Sequence, residues 1–422
     1  MPPKGDAVIL TVLHTLGGAA RLIIKGNKAY YAWCALLLAL IATGAFAYIH
    51  QLRYGLIATH MSDSVSWAFY IGNFTFLVGV AAAAIMLVIP AYVYHWEPIK
   101  EVVILGELLA ISAVVMCLLF VTADMGRPDR AWHMMPGLGM LNFPVAILAW
   151  DVVVLNLYLV VNLVIVVYLL YKWYTERPVN YKFLWPLVIA TIPIAVSIHT
   201  VTACIYAGMV ARPYWNAAVL APRFLASAFC SGPAVLVILL QILRRTTRLK
   251  IQDAAIWKVA ELMAYSMAMN LFLTGMEAFK EFYAGGHHAV YTRFYFIGLN
   301  GHNGLVPFAW LAVGCDMVSF LLLLIPATRK NAITLNLGCL LIYMGTYIEK
   351  GIGLLIPGFT PDTLGQITDY TPSMTELGIA AGIFSVGFLL YTIMVKVAVP
   401  VILGEFKARP TPEGAVIPVE SH

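Results

Sequence analysis

The chain has 422 residues, of which 61% are hydrophobic and 11% are charged, and its net charge is +5. A soluble globular domain carries about 25% charged residues, so this composition excludes a soluble protein. The small positive charge lies between apolar runs and concerns membrane topology rather than nucleic-acid binding.

Apolar runs of about 20 residues recur along the chain, and each is long enough for a helix to cross a membrane. Barrel strands would instead give alternating segments of about 10 residues. The pattern predicts an all-α integral membrane protein. Ten spans are predicted, at roughly 29–50, 67–95, 101–124, 143–172, 182–211, 222–243, 256–284, 303–326, 332–356 and 373–403.

The charge distribution predicts that both termini lie in the cytoplasm. With ten spans, 18 of the 26 Lys and Arg residues fall on the side of the termini and 8 on the opposite side. The basic side of a membrane protein faces the cytoplasm. Residues 1–28, with no recognisable cleavable signal, would form a cytoplasmic surface segment containing a helix at 7–24. Residues 29–403 would form the membrane domain and residues 404–422 a cytoplasmic tail.

Ionisable side chains within a membrane span are costly and therefore point to function. His199 lies about 12 residues, or roughly 18 Å, from the outer end of the fifth span. Asp151 lies about eight residues, or roughly 12 Å, into the fourth span, and Asp124 closes the third. Three consecutive spans would gather these side chains around one cavity that opens outward. The alternative is a structural role, in which each simply bonds a neighbouring helix.

Quinone chemistry is consistent with His199, Asp151 and Asp124. Quinol oxidation releases two protons with two electrons, so it needs acceptors that titrate near ambient pH. An apolar ring with two carbonyls fits an apolar pocket with two opposed polar partners, which His199 and either Asp124 or Asp151 would supply. A haem b needs two facing histidines within the membrane. Only His199 is deep, since the other histidines of this region lie at helix ends or in loops: His50, His60, His95, His133, His287, His288 and His302.

Two outer loops carry arginines beside helix-breaking residues. Residues 124–133 contain Arg127 and Arg130, and residues 212–223 begin with Arg212 and end with Arg223. These arginines are predicted either to meet an acidic partner protein or to form local ion pairs in surface turns.

A second set of charges lies in the later spans. Glu277, Lys280 and Glu281 have helical spacing near the outer end of span seven, Asp316 lies in the middle of span eight, and Glu107 lies in span three. Glu277, Glu107 and Asp316 are candidates for a proton path. The alternative is that they hold helices together.

Three motifs resemble the NrfD/PsrC family of membrane quinone-interacting subunits. The first is Asp124-Met-Gly-Arg-Pro-Asp-Arg-Ala-Trp-His. The second is Ser197-Ile-His-Thr-Val-Thr-Ala followed by Arg212-Pro-Tyr-Trp-Asn. The third is Glu281-Phe-Tyr-Ala-Gly-Gly-His-His with Gly298-Leu-Asn-Gly-His-Asn. They are most similar to the ten-helix branch that holds DsrP of the dissimilatory sulfite-reduction complex, with the relatives QrcD, HmcC and HybB.

The resemblance implies two four-helix bundles, at 67–211 and 222–356, with flanking terminal helices. It implies menaquinol or menaquinone as substrate, no haem, metal or iron–sulfur cluster in the chain itself, and possible proton translocation. It also implies partners: a periplasmic ferredoxin-like iron–sulfur subunit similar to DsrO, a multihaem cytochrome c, and other membrane and cytoplasmic subunits.

The resemblance also assigns site residues. His199 and Asp124 match the family's polar quinone-site positions, with Tyr70 and Asn73 as further polar contacts. Arg127, Arg130, Arg212 and Arg223 match its outer motifs, and Arg127 is also predicted to contact the quinone. Two other functions stay open on the sequence. An ion or solute transporter also has ten helices with buried charges, and a purely structural anchor would not need His199 for quinone binding.

Overall fold

The computed structural model describes residues 17–94, 96–100, 102–135 and 137–408, and this part is helical without a strand. Fifteen α-helices, labelled α1 to α15, are Lys28–Tyr54, Phe69–Ala81, Ala83–Val88, Glu97–Lys100, Val103–Asp124, Ile147–Tyr174, Tyr181–Ala207, Leu220–Thr246, Asp253–Ala284, Ala289–Phe296, Val306–Leu324, Pro326–Lys330, Ala332–Lys350, Ile352–Phe359 and Met374–Ile402. A π-helix, Ile89–Val93, continues α3, and 3₁₀ turns occupy Leu56–Ala58 and Pro128–Met134.

The predicted all-α membrane fold with about ten spans is confirmed. Within the described ranges, nine helical stretches are long and apolar enough to cross a membrane. The other predicted span is α9, which has 32 residues but carries six charged ones. Helix ends differ from the predicted ends by a few residues. Residues 17–24 are helical; the rest of the predicted 7–24 helix and the tail beyond 408 lie outside the described residues.

The helices form two groups of neighbours. In one, α2 and α3 pack on α5, α6 packs on α5 and α7, and α7 reaches α3; in the other, α8, α9, α11 and α13 pack in a ring. The groups meet where α8 contacts α2, α3 and α7. The terminal helices α1 and α15 pack on each other through Gly44 and Gly382, where a Cβ on Gly382 would lie 2.8 Å from the Cα of Gly44. Small residues permit such close approach in membranes.

Two of the spans are interrupted. The second span breaks after Ala81, and the amide of Ile85 donates to Ala82 (3.1 Å), so the carbonyl of Ala81 is left for the hydroxyl of Tyr158 on α6 (3.0 Å). The ninth span breaks at Gly351, between α13 and α14. Both breaks lie inside the protein, where neighbouring groups can replace lost helical hydrogen bonds, as Tyr158 does at Ala81.

The carbonyls of α14 are capped by the loop before α8. Pro357 has no amide hydrogen, so the carbonyl of Gly353 lacks a helical donor. The hydroxyl of Tyr214 supplies one at 3.0 Å. The indole of Trp215, which is fully buried, donates to Leu354 at 2.8 Å. This loop is therefore part of the packed structure rather than a free surface loop.

Candidate functional site

His199 lies inside the protein on α7. Its side chain is only 2% exposed, and its Nδ1 has no hydrogen-bond partner among the described residues. Because α7 ends at Ala207, His199 is eight residues, or about 12 Å, from the helix end rather than the predicted 18 Å. The ammonium of Lys350, where α13 ends, acts electrostatically on the ring. A buried polar atom without a partner is costly, so this nitrogen is a candidate ligand-binding atom.

Asp151 lies against the same face of α7 as His199. Its Oδ1 accepts a hydrogen bond of 3.0 Å from Thr202, three residues after His199. Because α6 begins at Ile147, Asp151 is four residues, or about 6 Å, into the helix rather than the predicted 12 Å. Among the described residues no hydrogen bond joins His199 to Asp151 or to Asp124. The two aspartates therefore lie near α7 but do not form hydrogen bonds with the imidazole of His199.

Asp124 is the last residue of α5, and its buried Oδ1 has no hydrogen-bond partner among the residues that the structure describes. Tyr70 lies within electrostatic range of it. The hydroxyl of Tyr70 donates to Gln51 at 2.6 Å, and the amide of Gln51 donates to the carbonyl of Ala123 at 2.6 Å. Tyr70 and Asp124 are thus brought together, because Gln51 of α1 is hydrogen-bonded to both α2 and α5.

Tyr206 connects the two aspartates and was not predicted as a site residue. It is 1% exposed, it interacts electrostatically with both Asp151 and Asp124, and its hydroxyl lies 2.6 Å from that of Thr75. The sequence offered a signal, because Tyr206 follows His199 by seven residues and so lies on the same helix face.

Glu376, at the start of α15, was also missed. It is fully buried and accepts hydrogen bonds from the amides of Ser373 (2.8 Å) and His60 (3.1 Å) and from the hydroxyl of Tyr370 (2.5 Å). Burial raises the pKa of Tyr370, which lies in the loop before α15. The Ser-x-x-Glu spacing is that of a capping box and was visible in the sequence. This carboxylate joins the segments that contain His60 and Ser373, and it interacts electrostatically with Asp124.

Asn73 is buried and already has partners. Its amide donates to Phe69 at 2.7 Å, and its Oδ1 accepts from the hydroxyl of Tyr347 at 2.8 Å. It lines a crevice between α2 and α14 together with Tyr370, and the crevice has a volume of about 20 Å³. That volume holds about one water molecule. A quinone ring therefore enters only if the lining side chains move.

The four arginines predicted from the outer motifs divide into two kinds. Arg127 and Arg130 are exposed, and Arg127 forms an ion pair of 2.9 Å with Asp129. The guanidinium lowers the pKa of that carboxyl. Arg212 instead donates to the carbonyl of Phe359 at 3.0 Å and lies 4.9 Å from the centre of its ring. Arg127 and Arg130 therefore offer a surface, whereas Arg212 braces α14.

Arg223 differs most from its predicted docking role. Its side chain is 16% exposed and forms ion pairs with Glu277 and Glu349. Glu349 and Lys350 do not lie at a membrane surface, because the ninth span continues past them as α14 to Phe359, and Lys350 is 3% exposed. Buried charges need partners, and this network supplies them.

The candidate proton-path residues are divided between the two helix groups, with Glu107 in the first group and Glu277 and Asp316 in the second. Asp316 on α11 is 4% exposed, with an unpartnered Oδ1 among the described residues, and interacts electrostatically with Glu349. Glu107 on α5 is 1% exposed, its Oε2 has no hydrogen-bond partner within the described ranges, and it interacts electrostatically with Tyr158. No hydrogen-bonded chain joins them within the described ranges. Nor do those ranges contain a group of three or more His, Cys, Asp or Glu residues that could hold a metal.

Comparison with known proteins assigns these helices to a family. The family described as polysulphide reductase, NrfD, matches residues 58–362, a range that includes every site residue predicted from the sequence. The chain belongs to the NrfD family. Together with the nine apolar helical stretches, this membership makes it a multi-pass integral membrane protein.

Several curated proteins resemble this NrfD-family chain over nearly their whole length. A membrane protein of Halobacterium salinarum, assigned by its name to a dimethyl sulfoxide reductase, is 26% identical over 85% of this chain and 88% of its own. A selenate reductase subunit of Mesobacillus selenatarsenatis is 22% identical over 88% and 95%. The Hdr-like menaquinol oxidoreductase integral membrane subunit of Archaeoglobus fulgidus is 22% identical over 88% and 94%.

Proposed function

We propose that this chain is the quinone-reactive membrane subunit of a respiratory oxidoreductase complex, and that it oxidises menaquinol or reduces menaquinone. Its family and a relative named as a menaquinol oxidoreductase subunit support this role. The observation that carries the proposal is that two buried polar atoms, Nδ1 of His199 and Oδ1 of Asp124, have no hydrogen-bond partner among the described residues. A polar headgroup that bonds them would recover the free energy, about 1–3 kcal/mol each, that leaving them unpaired costs.

In the oxidative direction, menaquinol gives up two protons and two electrons and becomes menaquinone. His199 and Asp124 accept the protons, while Asp151, held by Thr202, supports the histidine helix. Arg127, Tyr70 and Asn73 complete the contacts of the site, and Asn73 exchanges its bond to Tyr347 for one to the substrate. The electrons leave for a partner, because we propose no haem or cluster in the chain itself. The absorption spectrum of the purified, dithionite-reduced chain tests for haem. No Soret band is expected, and a strong one would contradict the proposal.

The proposed electron partner is a periplasmic ferredoxin-like iron–sulfur subunit similar to DsrO. Exposed Arg127 and Arg130 supply the basic surface for it; of the other predicted docking residues, Arg212 and Arg223 would act by holding the loop in place. In this proposal the chain lies in the cytoplasmic membrane with both termini in the cytoplasm. The complex is like that of DsrP, with a multihaem cytochrome c and further membrane and cytoplasmic subunits in sulfite reduction.

Proton translocation is a further part of the proposal. Buried carboxylates with unpartnered oxygens are suited to carry protons, and among the residues that the structure describes Asp316 and Glu107 each have one such oxygen. Glu277 would be the outer member, reached through Arg223 and Glu349. The test is proton release per electron in reconstituted vesicles. An unchanged ratio in Glu277→Gln would reject this path and leave the quinone site untouched.

The quinone site is tested by quenching the fluorescence of a quinol analogue with purified protein. His199→Asn and Asp124→Asn are each expected to weaken binding about tenfold or more, which corresponds to about 1.4 kcal/mol. The matched controls are His287→Asn and Asp253→Asn, whose side chains are exposed. Normal binding and turnover in both site variants would contradict the assignment of His199 and Asp124 to the quinone site and would favour a structural anchor.

A transporter is the second candidate, and the broken spans favour it. Helix breaks beside buried charges form substrate sites in secondary transporters, and Glu349 and Lys350 adjoin the break at Gly351. Ion or solute flux in vesicles without quinone tests this function. Flux that survives in His199→Asn would support transport over quinone chemistry.

A further inference from the structure

The exposed surface of α6 and α7 contains a groove that the proposed function does not use. Its volume is about 460 Å³, and it is lined by Leu163, Val164, Val167, Tyr168, Tyr171 and Phe183. Several of these side chains are open to the surroundings, for example Val167 at 61% and Tyr171 at 53%. In a membrane protein such a surface faces the acyl chains.

The groove lies within one leaflet of the bilayer. Leu163 lies 11 residues before Tyr174, where α6 ends, which is about 16 Å along the helix. Half of the hydrocarbon core of a bilayer is about 15 Å thick. Tyr171 near the helix end marks the level of the headgroups, where amphipathic aromatic rings concentrate.

Positive charge lies at the headgroup end of the groove. The ammonium of Lys172 is 5.6 Å from the centre of the Tyr168 ring, which lines the groove. Lys182 precedes Phe183 directly, and Arg177 lies in the turn between the helices; both are exposed. Among the described residues no carboxylate pairs with any of the three. The nearby acid, Glu176, is bound by Lys407.

We propose that this groove binds one anionic phospholipid, with an acyl chain along α6 and α7 and the phosphate at Lys172 and Lys182. Charge complementarity selects this occupant. A neutral quinone tail or an apolar helix of another subunit fills the groove but leaves three cations unpaired at its end. Basic residues at the cytoplasmic ends of membrane helices bind anionic lipid headgroups.

The test measures binding of the first lipid to the purified full-length chain by native mass spectrometry. Dioleoyl phosphatidylglycerol is titrated against dioleoyl phosphatidylcholine. Lys172→Gln/Lys182→Gln is expected to weaken the first phosphatidylglycerol about 25-fold, or about fivefold for each cation, without changing phosphatidylcholine. The matched control is Arg245→Gln/Lys250→Gln, which removes two exposed cations elsewhere and leaves the affinity unchanged. Equal affinities in the two double variants overturn the proposal.

A steric variant tests the groove itself. Val167→Trp fills it and is expected to abolish the first phosphatidylglycerol site. Val160→Trp places the same side chain two turns away on α6, at a position that is 54% exposed and outside the lining, and it keeps the site. Retained binding in Val167→Trp contradicts the proposal, as does displacement of the lipid by stoichiometric menaquinone.

Discussion

Arg223 on α8 and Glu349 on α13 form an ion pair with 2.6 Å between Nη2 and Oε1. Glu277 on α9 binds the same guanidinium, and Asn270 and Thr274 of α9 donate to Glu349 at 3.2 and 3.3 Å. One largely buried cation therefore ties three helices together where the ninth span breaks.

Glu349→Ala is expected to destabilise the protein by about 3 kcal/mol. The change leaves the guanidinium of Arg223 with one carboxylate and removes the acceptor of two side-chain donors, and breaking a buried pair on one side is costly. Thermal unfolding in detergent measures the loss. The control is Asp129→Ala, which breaks an exposed pair with Arg127 and should leave the unfolding temperature unchanged. Equal shifts would mean that the buried network contributes no more than a surface pair.

Gly358→Ala is expected to destabilise the protein by about 1–3 kcal/mol or more through overpacking. A Cβ at Gly358 would collide with the indole of Trp215, which is fully buried and held by its bond to Leu354. Gly275 on α9 has open space at the same atom. There the same substitution should stabilise by about 0.5–1 kcal/mol, because alanine is the better helix former. Opposite signs in the two unfolding temperatures are the expected result.

Thr202→Val is expected to cost about 1–3 kcal/mol, because it leaves a buried carboxylate oxygen of Asp151 without its donor. Thr202→Ser keeps the hydroxyl and is the matched control. If Asp151 supports quinol oxidation, turnover falls in the valine variant and is retained in the serine variant. Equal turnover in both would separate Asp151 from the chemistry.

The sequence predicted the helices because their signal is local. Each span is a run of apolar residues, so existence and approximate ends follow from composition, and the burial of His199 follows from its place within such a run. The helix ends were harder. Turn residues at 208–211 and 143–146 continue the apolar pattern without continuing the helix, which is why the depths of His199 and Asp151 were overestimated.

The interior partners could not be derived in this way. Whether Arg223 faces outward or pairs with Glu349 depends on how α8, α9 and α13 pack together. The hydrophobic periodicity of a single helix does not predict which side chains of different helices come into contact. The break at Gly351 shows the same limit, because the apolar pattern runs through it. The role of Glu376 at the start of α15 could have been predicted from the sequence, because its capping box is a local motif.

Alkaline pH should destabilise the protein through its buried tyrosines outside the spans. Burial raises the pKa of Tyr370 above its usual value of about 10. The unfolded chain therefore releases this proton first as pH rises. Its contribution to stability is complete below pH 10 and is lost as pH rises from there towards the folded pKa. One such group changes the free energy of unfolding by up to about 1.4 kcal/mol per pH unit.

Tyr370→Phe isolates this contribution. The variant also removes a donor to Glu376, so it is expected to be less stable at neutral pH, and the informative quantity is the slope of stability against pH above 10. That slope should become shallower by up to about 1.4 kcal/mol per pH unit. Tyr283→Phe, at a position that is 82% exposed, controls for losing a tyrosine hydroxyl as such. A slope in Tyr370→Phe identical to that of the unmodified protein would show that Tyr370 titrates alike in the folded and unfolded chain.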